Sequence, residues 1–465
     1  MTVFSKNNLL YKFDYFFEPR TQKKWRNQFA EYCNRSLIGV YENILQKTQY
    51  LDLSTLENLR WPIAQQLIYD ASINVPLYKN TYLKNSDIGR KISREEFESL
   101  PLLRKADFRQ PQDIITSQKI SSSRAWRGIT SGSTGEPLQH YSDKKFWAIG
   151  KANLYRPWRW SGCDPLELMV QCSTPHSTAK FPNTLVVNPH NIQSNISQYI
   201  DAIRRSGARI IRGYPLSTFE LAWAIQQQGA RDIKFTHVFF VGHALSRGIR
   251  DFFPKSFGAE VYDYYGSQET GTMAAECERH EGLHIHEESF IVEITDDSGT
   301  RIRDGTLGHI VVTSLRNEVM PLIRYDIGDM GMIIPMICPC GRTSRRLLIE
   351  GRREDLLLCP DGEVIYGGII RDVLDEYFFA FQRYQIVQTA RNHLLLRVVP
   401  TNEFSKSILE KALREFKKTI DSQSLFTIDA VITKDIEPLP NGKYQYIISN
   451  FWRSKYPDEI FQYDF

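Results

Sequence analysis

The chain has no long apolar run and few cysteines. No stretch reaches the roughly 18 uninterrupted apolar residues that a membrane-spanning helix needs, and the apolar run at 331–338 is far shorter. The 7 cysteines in 465 residues form an odd, sparse set, which argues against a disulfide-stabilised secreted scaffold and predicts a reducing, cytoplasmic location. The N-terminal segment is polar and soon reaches charged residues, so neither a signal peptide nor membrane insertion is expected.

The chain also lacks a large excess of positive or negative charge. The 58 Lys and Arg residues against 54 Asp and Glu give a net charge of +4, and the basic residues are scattered along the chain. This distribution does not favour nucleic acid as a partner. With 42% hydrophobic and 24% charged residues, the composition is typical of a soluble globular protein. The length predicts at least two lobes, and the sequence leaves open whether the chain is a monomer or a homodimer.

Hydrophobic periodicity predicts the α/β class, with a large N-terminal body of several subdomains and a small α+β unit at the C-terminus. Helical periodicity dominates a lead-in over about residues 1–100, and strands alternate with helices from about 166. We place the boundary near Gly351, so that the body spans 1–350 and the C-terminal unit 351–465. The predicted helices cover 21–50, 56–73, 216–228 and 403–420, and the predicted strands cover 166–172, 208–212, 235–241, 260–265, 290–294, 309–313, 331–334, 385–388, 394–399 and 427–432.

The segment 129–137 is dense in glycine and hydroxyl side chains. Its glycines let backbone N–H groups approach an anion closely, and its hydroxyls add hydrogen-bond donors. It is not a Walker A loop, because no Gly-Lys-Ser/Thr follows the second glycine. The segment therefore fits either a phosphate-binding loop or an ordinary turn. Its candidate ligands are Thr130, Ser131, Gly132, Ser133, Thr134 and Gly135.

Three further motifs carry candidate nucleotide ligands. Tyr265 and Gly266 end a predicted strand shortly before Glu269, an arrangement that suits a flat ring and a Mg²⁺-bound phosphate. Asp329 follows a predicted glycine turn and suits two adjacent ribose hydroxyls, and Lys443 lies on a Pro-Asn-Gly turn near the C-terminus. Taken alone, each motif is more simply an ordinary strand end, a β-turn or an exposed lysine.

In combination and in this order, these motifs resemble those of the adenylate-forming superfamily, which includes acyl-coenzyme A synthetases, peptide-synthetase adenylation domains and luciferases. Within the superfamily, the chain is most similar to the phenylacetate–coenzyme A ligase branch and its CapK-type relatives. The segments that mark this branch are Gly-Leu-His-Ile at 282–285, Val-Val-Thr-Ser-Leu at 311–315, Met-Pro-Leu-Ile-Arg-Tyr at 320–325 and Cys-Pro-Cys-Gly-Arg-Thr at 338–343. The resemblance covers nearly the whole chain and is weakest in the first 70 residues.

The resemblance implies a site for ATP and Mg²⁺. It assigns the β- and γ-phosphates to residues 130–135, with Thr134 among the catalytic residues, and it assigns Mg²⁺ to Glu269. Asp329 would hold the ribose hydroxyls with Arg352 nearby. Lys443 would reach the α-phosphate and the attacking carboxylate, where it stabilises charge that develops in the transition state. The residues that would flank the adenine or lie beside it are Gly242, His243, Ala244, Tyr265 and Gly266.

The implied activity is that of an AMP-forming ligase. A carboxylic acid would be activated by ATP as an acyl adenylate, and the acyl group would pass to coenzyme A. The C-terminal unit would be a mobile lid with its hinge at Glu354, which lets one site perform two half-reactions. By family analogy the acid is aromatic or otherwise compact, and it would lie beside Tyr214, His243 and Tyr264.

Two alternatives to this activity stay open. The first is transfer of the acyl group to an amine or hydroxyl, for example in polysaccharide or secondary-metabolite biosynthesis. The second is a non-catalytic binding protein with the same fold. Three positions also depart from the family pattern: Glu136 replaces a frequent lysine, Gln268 a frequent threonine and His243 a usual acidic residue. None of these removes an indispensable group, so they bear on rate or substrate.

Three cysteines and a histidine form a candidate metal site. Cys277, His284, Cys338 and Cys340 give a Cys-x₆-His and a Cys-x-Cys pair, and three thiolates with one imidazole suit tetrahedral Zn²⁺. Unrelated buried thiols are the alternative, and His280 or His286 could replace His284. Relatives in this branch often carry a similar cluster, so the resemblance implies structural zinc. The other cysteines, Cys33, Cys163, Cys172 and Cys359, are expected to be packing residues.

Overall fold

The computed structural model describes residues 36–82, 91–130, 138–173, 183–243, 245–353, 355–420, 425–437, 445–449 and 451. The helices in these ranges are α1 (Leu37–Thr48), α2 (Leu53–Asn74), α3 (Arg94–Glu98), α4 (Gln112–Ile115), α5 (Lys144–Trp160), α6 (Ile192–Ser206), α7 (Pro215–Gln227), α8 (Arg247–Phe257), α9 (Gly367–Leu374) and α10 (Lys406–Ile420). The strands of the body are β1 (Trp126–Ile129), β2 (Gln139–Ser142), β3 (Met169–Cys172), β4 (Thr184–Val187), β5 (Ile210–Gly213), β6 (His237–Val241), β7 (Glu260–Ser267), β8 (Gly271–Glu276), β9 (Leu283–Ile285), β10 (Phe290–Thr295), β11 (Gly308–Ser314), β12 (Tyr325–Ile334) and β13 (Arg346–Arg352). The remaining strands are β14 (Leu356–Leu358), β15 (Val364–Tyr366), β16 (Phe381–Ala390), β17 (His393–Pro400), β18 (Thr427–Ile432) and β19 (Ile447–Ser449).

A mixed 11-stranded sheet forms the centre of the body, in the order β10-β11-β12-β13-β9-β8-β7-β6-β5-β3-β4. The strands from β4 to β7 in this order are parallel, and those from β7 to β10 are antiparallel. Ile210 and Ile211 are consecutive in β5 and belong to separate apolar clusters, because successive side chains of a strand point to opposite faces. The parallel part is therefore covered on both faces, which confirms the predicted α/β class.

The carboxyl ends of three parallel strands lie side by side at one edge of this sheet. Gly213 at the end of β5 pairs with Phe240 of β6, and Val241 at the end of β6 pairs with Tyr264 of β7. Ligands of open α/β sheets bind at this edge. The predicted strand at 260–265 is longer in the structure, since β7 continues to Ser267 and turns into β8. That turn carries Glu269 to the same edge.

The C-terminal unit is a four-stranded sheet, ordered β18-β17-β16-β19, with helix α10 beside it. β18 has the bounds predicted from the sequence, and β16 and β17 extend the two strands predicted before it. Ala412 and Phe416 are the buried residues of α10 and belong to an apolar cluster that the unit shares with the body. The α+β character predicted for this part of the chain is thus confirmed.

One apolar cluster spans the body and the C-terminal unit. It includes Phe219 of α7 and Phe378 of the C-terminal unit, whose ring centres lie 5.0 Å apart. Gly248 lets α8 approach the C-terminal unit closely, because a Cβ at this position would lie 2.7 Å from the carbonyl oxygen of Asp375. Arg383 adds a polar contact, with Nη1 2.6 Å from Asp435 and Nε 3.4 Å from Glu220 of α7. In this arrangement the two parts of the chain pack directly on each other.

The Phe378→Ala variant is expected to unfold at lower denaturant concentration than the wild type. Truncating a buried phenylalanine typically costs about 3–5 kcal/mol, and this ring contributes to the cluster that joins the two parts. The neighbouring Phe379 is 36% exposed, so Phe379→Ala serves as a control with a much smaller effect. Urea unfolding followed by circular dichroism measures both, and equal midpoints for the two variants would contradict the role of Phe378.

Several features of the fold were not predicted, among them the helices α6 and α8 and the strands β4, β8, β9 and β13. The 17-residue helix α5 was not identified, and β12 begins at Tyr325 although a strand was predicted only over 331–334. The predicted glycine turn before Asp329 lies inside β12, where Gly328 adopts a φ of 84°. Within the ranges that the structure describes, no helix is both long and apolar enough to cross a membrane.

Candidate active site

The predicted phosphate segment connects β1 and β2. The two strands pair antiparallel as far as Ile129 and Gln139, and Thr130 and Leu138 close the connection. The Thr130 N–H donates to the Leu138 carbonyl and the Leu138 N–H donates to Thr130 Oγ1, both at 2.8 Å. Thr130 is buried, and its hydrogen bonds with Leu138 hold the ends of β1 and β2 together.

Several predicted site residues lie outside the described residues. They are Ser131, Gly132, Ser133, Thr134, Gly135, Glu136, Ala244, Glu354 and Lys443. Cys33 lies outside them as well. Their assignments remain predictions.

Glu269 is buried at the β7–β8 turn. The hydroxyl of Tyr325, at the start of β12, donates to Glu269 Oε1 at 3.1 Å. Burial lowers the pKa of His140 on β2, and the negative charge of Glu269 opposes this shift. Residues from β2, β7–β8 and β12 therefore meet around one carboxylate, and this carboxylate is the residue type that binds Mg²⁺.

Asp329 lies on β12 between a tyrosine and an arginine. The Tyr265 hydroxyl donates to Asp329 Oδ2 at 2.6 Å, and Arg352 Nε lies 3.2 Å from Asp329 Oδ1. Burial raises the pKa of Tyr265 well above its usual value, and the charge of Asp329 adds to this shift, so the phenol stays a neutral donor. Gly328, just before Asp329, has a φ of 84°, a backbone conformation that favours glycine. Asp329, the predicted ribose ligand, and Tyr265, a predicted neighbour of the adenine, are thus in direct contact.

The predicted acid pocket lies at the ends of β5 and β6. Tyr214 follows β5, and its ring centre lies 5.3 Å from that of His243, which follows Gly242 at the end of β6. Gly242 has a φ of 81°, and a Cβ there would lie 2.6 Å from the Tyr214 ring. Tyr264 is buried on β7 and its hydroxyl accepts a hydrogen bond from Arg212 Nε. The structure brings these three predicted residues to the same edge of the sheet.

The four predicted metal ligands converge. The ligand atoms of Cys277, His284, Cys338 and Cys340 all lie within 4.8 Å of one another. Cys277 and Cys338 Sγ are 3.7 Å apart, and Cys340 Sγ lies 3.4 Å from His284 Nε2. These separations fit tetrahedral zinc, whose bond lengths place its ligand atoms about 3.5–3.8 Å apart.

Neighbouring groups orient these ligands. His284 Nδ1 lies 3.0 Å from Ser344 Oγ, which leaves Nε2 directed at the sulfurs. Burial and the charge of Arg342 lower the pKa of His284 to about 4, so the imidazole is neutral, as a ligand must be. The alternative histidines have other neighbours: His280 Nδ1 lies 3.3 Å from Glu276 and His286 Nδ1 lies 3.2 Å from the Thr272 carbonyl.

The three other described cysteines pack as expected. Cys163, Cys172 and Cys359 are buried, unbridged members of apolar clusters. One residue beside the predicted acid pocket was missed by the sequence analysis: Arg212 on β5, whose Nε donates to the Tyr264 hydroxyl. The available signal for Arg212 was a single charge at the end of an apolar strand, in Ile-Ile-Arg-Gly.

The chain is similar in sequence to several known proteins. The family model for the CapK C-terminal domain matches residues 357–450. A phenylacetate-coenzyme A ligase of Thermus thermophilus is 32% identical over 37% of this chain and 40% of that protein, so this match spans less than half of the relative. A phenylacetate-coenzyme A ligase of Pseudomonas putida is 27% identical over 69% of this chain and 74% of its own length. Protein CapK of Staphylococcus aureus is 22% identical over 88% of this chain and 92% of its own length.

Solved structures share the fold. A 2-hydroxyisobutyryl-CoA ligase in the postadenylation state, 20% identical, superposes with a TM-score of 0.73 over 89% of this chain and 94% of that chain. The same ligase in the thioesterification state gives a TM-score of 0.58 over the same shares of the two chains. In its motifs, its fold and its relatives, the chain thus resembles the phenylacetate–coenzyme A ligases and CapK proteins of the adenylate-forming superfamily.

Proposed function

We propose that this protein is an AMP-forming ligase that activates a carboxylic acid with ATP and transfers the acyl group to coenzyme A. The observation that carries this proposal is the meeting of distant motifs at one sheet edge, with Tyr265 on Asp329 and Tyr325 on Glu269. The relatives named phenylacetate-coenzyme A ligase and the ligase structures with bound acyl-AMP support the same reaction. An aromatic or other compact acid is the proposed substrate class.

The described residues have distinct roles in this proposal. Asp329 accepts hydrogen bonds from the two ribose hydroxyls, while Arg352 and Tyr265 fix the orientation of its carboxylate. Glu269 binds Mg²⁺ through a carboxylate that the Tyr325 hydroxyl orients. Mg²⁺, when bound, neutralises phosphate charge. The loop fixed by Thr130 is proposed to bind the β- and γ-phosphates, and Lys443 the α-phosphate.

Coenzyme A as the acceptor is tested by product analysis. ATP–pyrophosphate exchange over a panel of acids first identifies acids that form an adenylate. AMP release with such an acid should then depend on coenzyme A and yield the thioester. AMP release that requires an amine or a hydroxyl compound instead would favour the alternative acceptor. If no acid supports exchange, the result would favour a non-catalytic binding protein.

Asp329→Ala is expected to raise the KM for ATP about tenfold to a hundredfold. Hydrogen bonds to a charged group contribute about 1.5–3 kcal/mol, and these are made in the ground and transition states alike, so kcat should change less. Steady-state kinetics with saturating acid measures the effect. Asp251→Ala, which removes an exposed carboxylate from α8, should leave the KM unchanged. Wild-type ATP affinity in calorimetry of Asp329→Ala would refute the ribose role.

We also propose that the cluster of Cys277, His284, Cys338 and Cys340 binds one structural zinc ion. Four protein ligands leave no open coordination position, which is the arrangement of a structural site. The division near Gly351, the mobility of the C-terminal lid and its hinge at Glu354 are proposals of the same kind. The cytoplasmic location and the oligomeric state remain predictions.

A further inference from the structure

A buried ion pair lies beside the predicted ribose ligand. Arg353 Nη2 is 2.8 Å from Asp326 Oδ2, and the two side chains are 5% and 2% exposed. Asp326 lies on β12 shortly before Asp329, and Arg353 directly follows the end of β13. The main chain adds a second contact, because the Arg353 N–H donates to the Gly328 carbonyl at 3.1 Å. Arg353 is thus attached to β12 through both its backbone and its side chain.

The same carboxylate holds the turn that carries Asp329. Asp326 Oδ1 accepts a hydrogen bond from the Gly328 N–H at 3.0 Å, so its two oxygens have different partners. Oδ1 fixes the glycine of positive φ that immediately precedes Asp329, and Oδ2 binds the guanidinium of Arg353. The body holds Asp326 in turn, because its N–H donates to the Leu103 carbonyl at 2.8 Å. One buried side chain therefore connects the predicted ribose site to the chain just before the proposed hinge.

The side chains on the two sides of the proposed hinge belong to different parts of the chain. Arg353, before Glu354 in the sequence, pairs with Asp326 of the body. Asp355, after it, has Oδ2 4.0 Å from Nη1 of Arg371 on α9 of the C-terminal unit. This change of partner within two positions is what a pivot between them requires. Because Asp326 belongs to the sheet of the body, its pair with Arg353 can stay intact while the C-terminal unit rotates.

We infer that Asp326 and Arg353 are positioning residues that fix the body end of the hinge to the turn carrying the ribose ligand. This inference rests on the proposed ligase function, including its mobile C-terminal unit, and deepens it. Asp329 is paired with Arg352 across β12 and β13. The ion pair keeps these two residues opposed while the C-terminal unit changes position, so that the nucleotide stays held through both half-reactions.

Two substitutions of Asp326 separate its two tasks. Asp326→Asn keeps an oxygen for the Gly328 N–H but replaces the oxygen that faces Arg353 with an amide nitrogen, whereas Asp326→Ala removes both acceptors. With the hinge end released, the C-terminal unit reaches its working positions less often. Asp326→Asn and Arg353→Met should therefore lower kcat for thioester formation about tenfold and keep the KM for ATP within about threefold of wild type. Asp326→Ala should in addition raise the KM for ATP about tenfold.

Limited trypsin digestion tests the hinge end without any substrate. Trypsin cleaves after arginine, and cleavage requires that the segment leave β12. Asp326→Asn should speed cleavage after Arg352 or Arg353 about tenfold, measured by mass spectrometry of the fragments, while cleavage elsewhere keeps its wild-type rate. Asp201→Asn, which removes an exposed carboxylate paired with Arg204 on α6, should change neither the kinetics nor the digestion.

A purely structural ion pair would give other results. Faster cleavage along the whole chain, or a KM for ATP raised equally in Asp326→Asn and Asp326→Ala, would overturn the inference. Loss of one partner leaves an unpaired buried charge, which can prevent folding. The double variant Asp326→Asn with Arg353→Met removes both charges and then serves for the same tests. Its kcat should again fall about tenfold, and a wild-type kcat would overturn the inference.

Failure of the ligase function is distinguished from failure of this inference. Absence of exchange with every acid would refute the ligase function. The digestion would still test the attachment of the hinge end, because it needs neither ATP nor an acid. Wild-type cleavage after Arg352 in Asp326→Asn and in the double variant would overturn the positioning role even if the ligase function holds.

Discussion

Replacing Lys443 with alanine is expected to slow acyl-adenylate formation by about a hundredfold or more. Adenylation builds negative charge on a pentavalent phosphorus, and the resemblance assigns the stabilising cation of the lid to Lys443. Removal of one preorganised transition-state contact typically costs about 2.7–4 kcal/mol. ATP–pyrophosphate exchange with the preferred acid measures the loss.

The matched control for this variant is Lys434→Ala. Lys434 is an exposed lysine of the same C-terminal unit, and its loss should leave the exchange rate unchanged. Transfer of the acyl group from preformed adenylate should also persist in Lys443→Ala, because the resemblance implies that this half-reaction uses the other face of the lid. A wild-type exchange rate in Lys443→Ala would show that the catalytic assignment of the C-terminal unit is wrong.

Cys338→Ser is expected to lose zinc and to lower the melting temperature by about 10 °C or more. Structural zinc binding contributes directly to folding, and each lost kcal/mol lowers the Tm by about 2–4 °C in domains of 150–250 residues. The cluster joins β8–β9 to the segment between β12 and β13, so its loss releases both. Soluble variant should still form the adenylate, since no member of the cluster contacts Glu269 or Asp329 in these proposals.

Elemental analysis and thermal unfolding test this directly. Wild-type protein should contain about one zinc per chain, as four ligands imply. Cys163→Ser changes a buried cysteine outside the cluster and should keep its zinc, which separates metal loss from general damage to packing. Metal-free wild-type protein with full stability would show that the four side chains are neighbours without a metal function.

The sequence predicted those elements whose local pattern is regular. β18 and the helix α7 follow from clear periodicity, and both were predicted within one residue of their bounds. α5 was missed because Pro157 interrupts its pattern near the end and because charged and aromatic residues alternate irregularly along it. The start of β12 was missed because Gly328 has the local signature of a turn. β12 pairs with β11 on both sides of that glycine, through Asp326 before it and Met330 after it, and this pairing keeps the strand continuous.

The chemistry of the candidate site was easier to predict than its geometry. Motif order identified the residue types, such as Asp329 and Glu269, but not which tyrosines orient them. Those contacts come from strands that are distant in sequence and become neighbours only in the folded sheet. The sequence also left open whether His280, His284 or His286 is the metal ligand. Spacing along the chain cannot show which of these side chains points to the thiolates. Arg212 was missed because its contact with Tyr264 joins two strands that are distant in sequence.

The aromatic contact between Phe219 and Phe378 has a thermodynamic consequence for a lid that moves. If the C-terminal unit rotates between half-reactions, this apolar surface is separated and exposed to water in one of the two arrangements. Exposure of apolar surface raises the heat capacity, and the attraction weakens on cooling. Cooling should therefore shift the population away from the arrangement in which the two rings touch. The rates of the two half-reactions should then have different, curved temperature dependences.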